Sequence, residues 1–386
     1  MLRTPLYQFH VDHGGKMVDF AGWEMPMLYT PPLAPGAEPG AGGIQAEHVQ
    51  VRTSGGLFDV SHMGRVKVGG RHARRFLEKL CTRRINDMQA GQCRYSLVCN
   101  EHGGVRDDVI VYRMDDDDFL VVVNASNRAK LLGHFEQVRT SNDMTVKIDD
   151  QTESTAMVAF QGPKVMDLIS RFSKEIPTLK RYRFAVKNLL VMKIIVSRTG
   201  YTGEDGVEAI LPASMVKMAM GLILKDIDMK SAGALIKPAG LGARDTLRME
   251  AAMPLYGHEL GEDINALSCG VDFAISLDKD SDERGEAFIG MDALKRTRDA
   301  GGPAKILAGF AIDGKRTARQ GNTIKVGDKE IGVVTSGCLS PTLGHAIAMG
   351  FVPREHAVER SAVQIDTGRA MLDARVVKMP FYKAAK

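Results

Sequence analysis

Cys93-Arg94-Tyr95-Ser96-Leu97-Val98-Cys99-Asn100-Glu101-His102-Gly103-Gly104-Val105-Arg106-Asp107-Asp108-Val109-Ile110-Val111-Tyr112-Arg113 is the stretch whose reading decides the fold. Apolar and β-branched residues fill Arg94–Asn100 and again Asp107–Arg113, with Glu101–Gly104 as a turn between them, so the segment reads as two paired strands. The acidic run Asp115–Asp118 is a solvated hairpin tip, and Phe119–Asn124 is a third, buried strand. Asn127–Val138 then returns to helical period, with Asn127 as the expected N-cap. The same alternation of strands with helices continues on both sides, which points to α+β domains.

On the N-terminal side, Pro31–Gly43 holds four prolines and four glycines and reads as a loop or linker. Gln45–Arg52 reads as a helix, Leu57–Val60 as a strand and Arg71–Leu80 as an amphipathic helix. On the C-terminal side, Thr155–Phe160 is an apolar strand closed by Gln161-Gly162-Pro163, and a helix starts at Lys164 behind that proline. Leu189–Arg198 reads as one strand, Gly200–Gly206 as a tight turn and Val207–Leu211 as the returning strand. Helices are expected over Met215–Asp226 and Gly242–Ala252. The last hundred residues lack helical period and alternate short apolar runs with Gly, Asp and Pro, so a separate all-β module begins near residue 304.

The 386 residues exceed what one hydrophobic core supports, so two or three domains are expected. Hydrophobic residues at 44% and charged ones at 25% exclude disordered, collagen-like and coiled-coil chains. Aromatics are only 6% against 40 glycines, which argues against stacking platforms for single-stranded nucleic acid. The net charge of +4 is not gathered into a basic block, so no nucleic-acid surface is expected. No apolar run approaches the roughly 18 residues of a membrane span. The N-terminus lacks a secretory apolar region, so the expected location is cytoplasmic. Five cysteines without a CxxC pair, and ten histidines without HExxH, suggest reduced thiols and no metal.

Three segments carry candidate chemistry. In Gly103-Gly104-Val105-Arg106-Asp107-Asp108, strand alternation lets only one aspartate face a given cleft; the alternative is that both carboxylates hydrogen-bond the glycine turn. In Arg198-Thr199-Gly200-Tyr201-Thr202-Gly203-Glu204-Asp205-Gly206-Val207-Glu208, a carboxylate at Glu208 within an apolar strand wants a bidentate donor, an Arg or the amino edge of a ligand ring. The alternative is an edge strand with Glu208 in water. In Gly240-Leu241-Gly242-Ala243-Arg244-Asp245, the cation Arg244 at a helix start implies an anionic partner, a protein carboxylate or a ligand. The third glycine of a dinucleotide fingerprint is missing there and no clear strand precedes it. His62, in Phe58-Asp59-Val60-Ser61-His62-Met63-Gly64, is placed to be a base, although a histidine in a turn is more often structural.

Taken in order, these segments resemble one family, the aminomethyltransferase or T-protein of the glycine cleavage system. The resemblance also rests on Lys16-Met17-Val18-Asp19-Phe20-Ala21-Gly22-Trp23-Glu24-Met25-Pro26, Phe160–Lys164, Met253-Pro254-Leu255-Tyr256-Gly257, Ser340-Pro341-Thr342-Leu343-Gly344 and Met379-Pro380-Phe381. It implies an α+β three-domain cloverleaf around a central folate channel. Domain 1 would take residues 1–65 and 150–257, domain 2 residues 66–149 and 258–303, and domain 3, a β-barrel or jelly-roll-like unit, residues 304–386. It implies transfer of a one-carbon unit from the aminomethyl-lipoyl arm of a carrier protein, the H-protein, to tetrahydrofolate, with no metal. Asp108 corresponds to the family's key carboxylate. Glu208 and Arg244 correspond to residues that hold the folate, with Tyr201, Tyr95, Tyr182 and Met63 lining its site. On this reading Asp108 faces the folate and Asp107 braces the turn.

The chain departs from the family pattern in places. Pro31–Gly43 is longer than the usual connection, which bears on carrier docking. Ala266 and Phe273 stand where Pro and Trp are common, and only five residues follow Phe381. A rival is a related folate-dependent demethylase, but sarcosine or dimethylglycine oxidases would carry a flavin domain. A second rival is a non-catalytic folate-binding relative with a Lys-Gly-Cys-Tyr signature; here Gly91-Gln92-Cys93-Arg94-Tyr95 occupies that vicinity.

Overall fold

The computed structural model describes residues 1–30, 43–189, 192–229, 231 and 233–384. Of the Pro/Gly stretch only Gly43 is among them, so the expected loop lies otherwise outside the described residues.

The strands around the glycine turn form an antiparallel sheet of five, ordered Gln92–Cys99, Val105–Asp115, Asp118–Val123, Gly64–Gly69 and Lys147–Asp150. Period-2 burial sends Val109 and Val111 to one face, where they meet Phe76, Leu77, Leu131 and Phe135 of the helices Ala73–Leu80 and Arg128–Ser141. A second sheet of six runs Phe184–Leu189, Met192–Ser197, Gly206–Pro212, Thr155–Gln161, Gly56–Asp59 and Lys237–Pro238, and only the last pair is parallel. Its strands come from both sides of the first sheet in sequence, so the two are interleaved. The opposite faces of the two sheets share one core, where Phe58, Val60, Tyr112, Leu120, Val122, Met157 and Ile210 pack with Ala243 and Leu247.

Residues 305–377 close into a six-stranded antiparallel barrel around Phe310, Ile324, Val334, Ala348, Ile365 and Ala374. The helix Leu241–Glu250 joins all three bodies. Arg248, nearly fully buried, reaches Glu259 Oε2 at 3.0 Å and the barrel's Ser336 Oγ at 2.9 Å. Glu250 accepts from Arg52 Nη2 at 2.9 Å and from the barrel's Thr342 Oγ1 at 2.8 Å, and lies 3.1 Å from His48 Nε2. These donors hold its carboxyl down to about 2 against the effect of burial. The buried charges of Arg248 and Glu250 are tolerated because each is paired and hydrogen-bonded.

Three readings need correction. The strand expected over Leu189–Arg198 is two: Phe184–Leu189 and Met192–Ser197 pair antiparallel. No Gly or Pro lies between Phe184 and Ser197, so the apolar run Leu189–Met192 reads as part of one strand. An N-terminal sheet of three strands, Leu2–Arg3, Trp23–Tyr29 and Gly15–Phe20, carries no clean alternation and went unread. Asn127 precedes the helix Arg128–Ser141 but its side chain does not cap it; its Nδ2 donates instead to Asp107 Oδ1 at 2.6 Å.

Candidate functional site

The inner faces of the two sheets, the helix Leu241–Glu250 and one wall of the barrel enclose a cavity of about 1130 Å³. This exceeds the usual ligand pocket of roughly 300–1,000 Å³. Asp108, Glu208, Arg244, Tyr95, Tyr182, Tyr201 and Met63 all line it. Residues as far apart in sequence as Met63 and Arg244 therefore share one wall system.

Strand alternation sets the two aspartates back to back. Asp107 points to the helix-covered face, fully buried, and takes Asn124 N at 3.0 Å, Asn124 Nδ2 at 2.8 Å and Asn127 Nδ2 at 2.6 Å. Asp108 points to the cavity, where Asn124 Nδ2 donates to its Oδ1 at 2.7 Å. Neither carboxylate braces the glycine turn, so that part of the sequence reading is corrected. Asn100 does so instead, its Oδ1 accepting from His102 N at 3.0 Å and Gly104 N at 2.9 Å. Gly104 is required because a Cβ there would stand 1.7 Å from the Glu262 carbonyl oxygen. Burial raises both acids, Asp108 to about 6 and Asp107 to about 7, the latter also through the neighbouring Asp108 charge. The pair titrates as a unit, with a base poised near neutrality on its cavity side.

Glu208 is internal, in register with Ser197 on one neighbouring strand and Ala159 on the other. The edge-strand alternative is thereby excluded: Glu208 is 5% exposed. Thr199 Oγ1 donates to its Oε2, and Ser197 Oγ lies 2.7 Å from Thr199 Oγ1 and 3.0 Å from Tyr112 Oη. Burial raises the Glu208 carboxyl, while Thr199 and the Arg244 charge oppose the rise. The loop that leads to it is fixed from beneath by Gln161, whose Nε2 donates to the Thr199 carbonyl at 3.1 Å. A Cβ on Gly200 would stand 1.9 Å from Gln161 Oε1, which explains a second glycine.

Arg244 sits on the first turn of its helix and makes no ion pair among the described residues. Its guanidinium carbon lies 4.8 Å from the Tyr201 ring centroid, and its Nη1 is buried without a hydrogen-bond partner. Burial lowers its pKa, with Glu208 and Tyr201 pulling the other way. A buried donor without an acceptor costs about 1–3 kcal/mol, more when charged, and marks a place for a ligand's acceptor. The Tyr95 hydroxyl is buried against Asp108, where it works to hold that carboxyl down, and its ring lies 5.9 Å from the exposed Phe273 ring, also on the cavity wall. Tyr182 is held at φ +60° and is 43% exposed.

Sequence reasoning missed Asn124, the one side chain that touches both aspartates, because an Asn ending a strand looks like turn chemistry. It also missed Thr199 as the donor to Glu208. Among the described residues no three His, Cys, Asp or Glu side chains gather as a metal site.

Glu47, which accepts from Tyr29 N at 2.6 Å and Gly240 N at 2.8 Å, is raised by burial to about 7. Glu47, Asp107 and Asp108 therefore bind protons more tightly folded than unfolded. Their contribution is full below about pH 4 and is lost as pH rises through about 6–7. Asp59 and Glu250, held down to about 2, act in the opposite sense in more acid solution. Burial pushes His62 and His134 down to about 4, which opposes this trend up to about pH 6.5. The thermal midpoint of the ligand-free protein is therefore expected to fall between about pH 6.5 and pH 8, with a shallower slope in Glu47→Gln. A midpoint that rises over this range contradicts these assignments.

Residues 6–279 match the GCVT N-terminal domain, and residues 305–383 match the glycine cleavage T-protein C-terminal barrel domain. The chain is 45% identical over 383 residues to an aminomethyltransferase of Rubrobacter xylanophilus, covering 99% of this chain and 94% of that protein. It is 38% identical over 386 residues to the aminomethyltransferase of Bacillus pumilus, covering 100% and 99%. The crystal structure of the glycine cleavage system aminomethyltransferase T from Bartonella henselae matches with a TM-score of 0.86 at 28% identity, over 99% of this chain and 98% of that one. Fold and site together define an α+β GCVT body with a closed C-terminal barrel. The chain belongs to the glycine cleavage T-protein family of aminomethyltransferases.

Proposed function

We propose that the cavity binds tetrahydrofolate and that the chain transfers to it the methylene carbon of an aminomethyl-lipoyl carrier. The products are 5,10-methylenetetrahydrofolate, ammonia and the dihydrolipoyl carrier. One observation carries this reading: a single cavity gathers a near-neutral carboxylate, Asp108, with the buried carboxylate Glu208 and the unpaired cation Arg244. Glu208 can accept from the adjacent amino group and ring N–H of a reduced pterin. Arg244 supplies a donor to an acceptor on the same ligand. The folate nitrogens build positive charge as they attack the methylene carbon, and Asp108 stabilises that charge and takes the released proton. Tyr95, Tyr201, Tyr182 and Met63 exclude water and fix the plane of the ring.

The interleaved sheets and the barrel support a division into 1–65 with 150–257, 66–149 with 258–303, and 304–386, although the boundaries at 65 and 150 fall inside the strands Gly64–Gly69 and Lys147–Asp150. The lipoylated carrier, the H-protein of the glycine cleavage system, is the macromolecular partner in this reading. A cytoplasmic setting suits five buried, unpaired cysteines. No helix of the described residues is long and apolar enough to cross a membrane.

The deciding experiment is single-turnover ammonia release from aminomethylated lipoyl carrier, with and without tetrahydrofolate. Folate-stimulated release is expected. Folate binding without stimulated release would favour a non-catalytic folate-binding relative.

A further inference from the structure

Val60-Ser61-His62-Met63 carries the chain out of the six-stranded sheet at Asp59 and into the five-stranded sheet at Gly64. The serine of this connector and the backbone groups on either side of His62 are engaged. Ser61 N donates to Asp59 Oδ1 at 2.9 Å, Ser61 Oγ donates to the Met157 carbonyl at 3.1 Å, and Met63 N donates to the Val60 carbonyl at 3.1 Å. The Arg65 guanidinium donates to the carbonyls of Ser61 and Met63. His62 is different. Its imidazole is 3% exposed and forms part of the cavity wall, and its Nδ1 is buried with no hydrogen-bond partner. The Phe20 ring stands edge-on to it at 5.4 Å and 90°, on the same wall.

A histidine that only filled space here would leave a buried polar atom unsatisfied, which an apolar side chain would avoid. The position therefore looks built for a partner that arrives with the ligand. Burial, joined by the Arg244 and Arg65 charges and opposed by Asp59, lowers the imidazole to about 4. The ring is thus neutral near pH 7, with one donor and one acceptor, and is a weak base. Such a ring suits recognition of an uncharged polar edge rather than proton removal, which Asp108 is better matched to perform.

Resting on the tetrahydrofolate reading above, we infer that His62 is a folate-positioning residue whose imidazole hydrogen-bonds an uncharged N–H or C=O edge of the bound folate. It fixes the ligand at the connector between the two sheets, on the cavity that Arg244 also lines.

The test compares His62→Phe, which keeps the bulk, with His62→Asn, which keeps a donor and an acceptor near the Nδ1 position. Tetrahydrofolate binding is measured by calorimetry, and KM for the lipoyl carrier and kcat by ammonia release. In parallel, the ¹⁵N imidazole resonances of the unmutated protein are followed as tetrahydrofolate is added. His62→Phe is expected to weaken folate binding roughly 5- to 30-fold while the carrier KM stays within about 3-fold, and His62→Asn recovers most of the loss. The His62 ring-nitrogen resonance is expected to move on folate saturation. Unchanged folate affinity in His62→Phe, or an unmoved resonance in protein saturated with folate, overturns the inference. Should neither variant fold, the resonance decides alone. Unmutated protein that binds no tetrahydrofolate overturns the functional reading itself, an outcome distinct from binding with His62 uninvolved.

Discussion

Asp108→Asn is expected to lower folate-stimulated ammonia release by about 10²–10⁴-fold while tetrahydrofolate still binds. The substitution keeps the shape and the contact to Asn124 Nδ2, but removes the anion that stabilises charge on the folate nitrogens and accepts their proton. Asp107→Asn is expected to behave differently. Its carboxylate takes three donors from Asn124 and Asn127 on the far side of the strand, so an amide there sets donor against donor. The loss should fall first on thermal stability and only secondarily on turnover. Turnover in the unmutated protein should rise with pH through the coupled titration of the pair, with an ascending limb near pH 6–7. Normal turnover in Asp108→Asn combined with its abolition in Asp107→Asn would reverse the assignment.

Arg244→Met is the second large effect, and its sign differs between two measurements. Among the described residues the guanidinium has no ion pair, and one of its buried nitrogens has no partner. Replacing it with an apolar chain of similar length removes an uncompensated buried charge, so the ligand-free protein should hold or gain thermal stability. Tetrahydrofolate affinity should fall by about 100-fold or more, because the ligand group that meets the cation is left buried and unpaired. A variant that loses stability and keeps its folate affinity would show that Arg244 is a structural residue. The pattern expected instead is that of a binding site whose polar groups are left unsatisfied until the ligand arrives.

Strand and turn chemistry were legible where the alternation is clean. The hairpin from Arg94 to Arg113 shows its glycine turn, its acidic tip and its β-branched interior, and the structure pairs those strands in register, from Gln92 opposite Arg113 to Leu97 opposite Asp108. The barrel announced itself through short apolar runs without helical period, and its first strand begins at Lys305. The boundary between Phe184–Leu189 and Met192–Ser197 carries no glycine or proline, so in composition the two strands read as one longer strand. The N-terminal sheet escaped for a related reason: Trp23–Tyr29 mixes a proline and a glutamate into its run, and its partners are short.

The site divides along the same line. Alternation alone required that Asp107 and Asp108 face opposite ways, since the side-chain period of a strand is two. It could not say which faced the cavity, because that depends on which face the helices Ala73–Leu80 and Arg128–Ser141 cover. Likewise, an apolar strand around Glu208 demanded a partner or water. Only the sheet order, which places that strand between two others, removed water from the choice. A cation at a helix start called for an anion, yet only the three-dimensional packing shows that the described residues supply none within ion-pair distance of Arg244. The sequence by itself determined the strands and turns, the separate β module and the chemical needs of Asp108, Glu208 and Arg244, because these follow from local period and side-chain type. The tertiary structure decided which of those needs the protein meets itself and which it leaves for a ligand. Burial and pairing depend on chain segments brought together from far apart, and no local pattern contains that information.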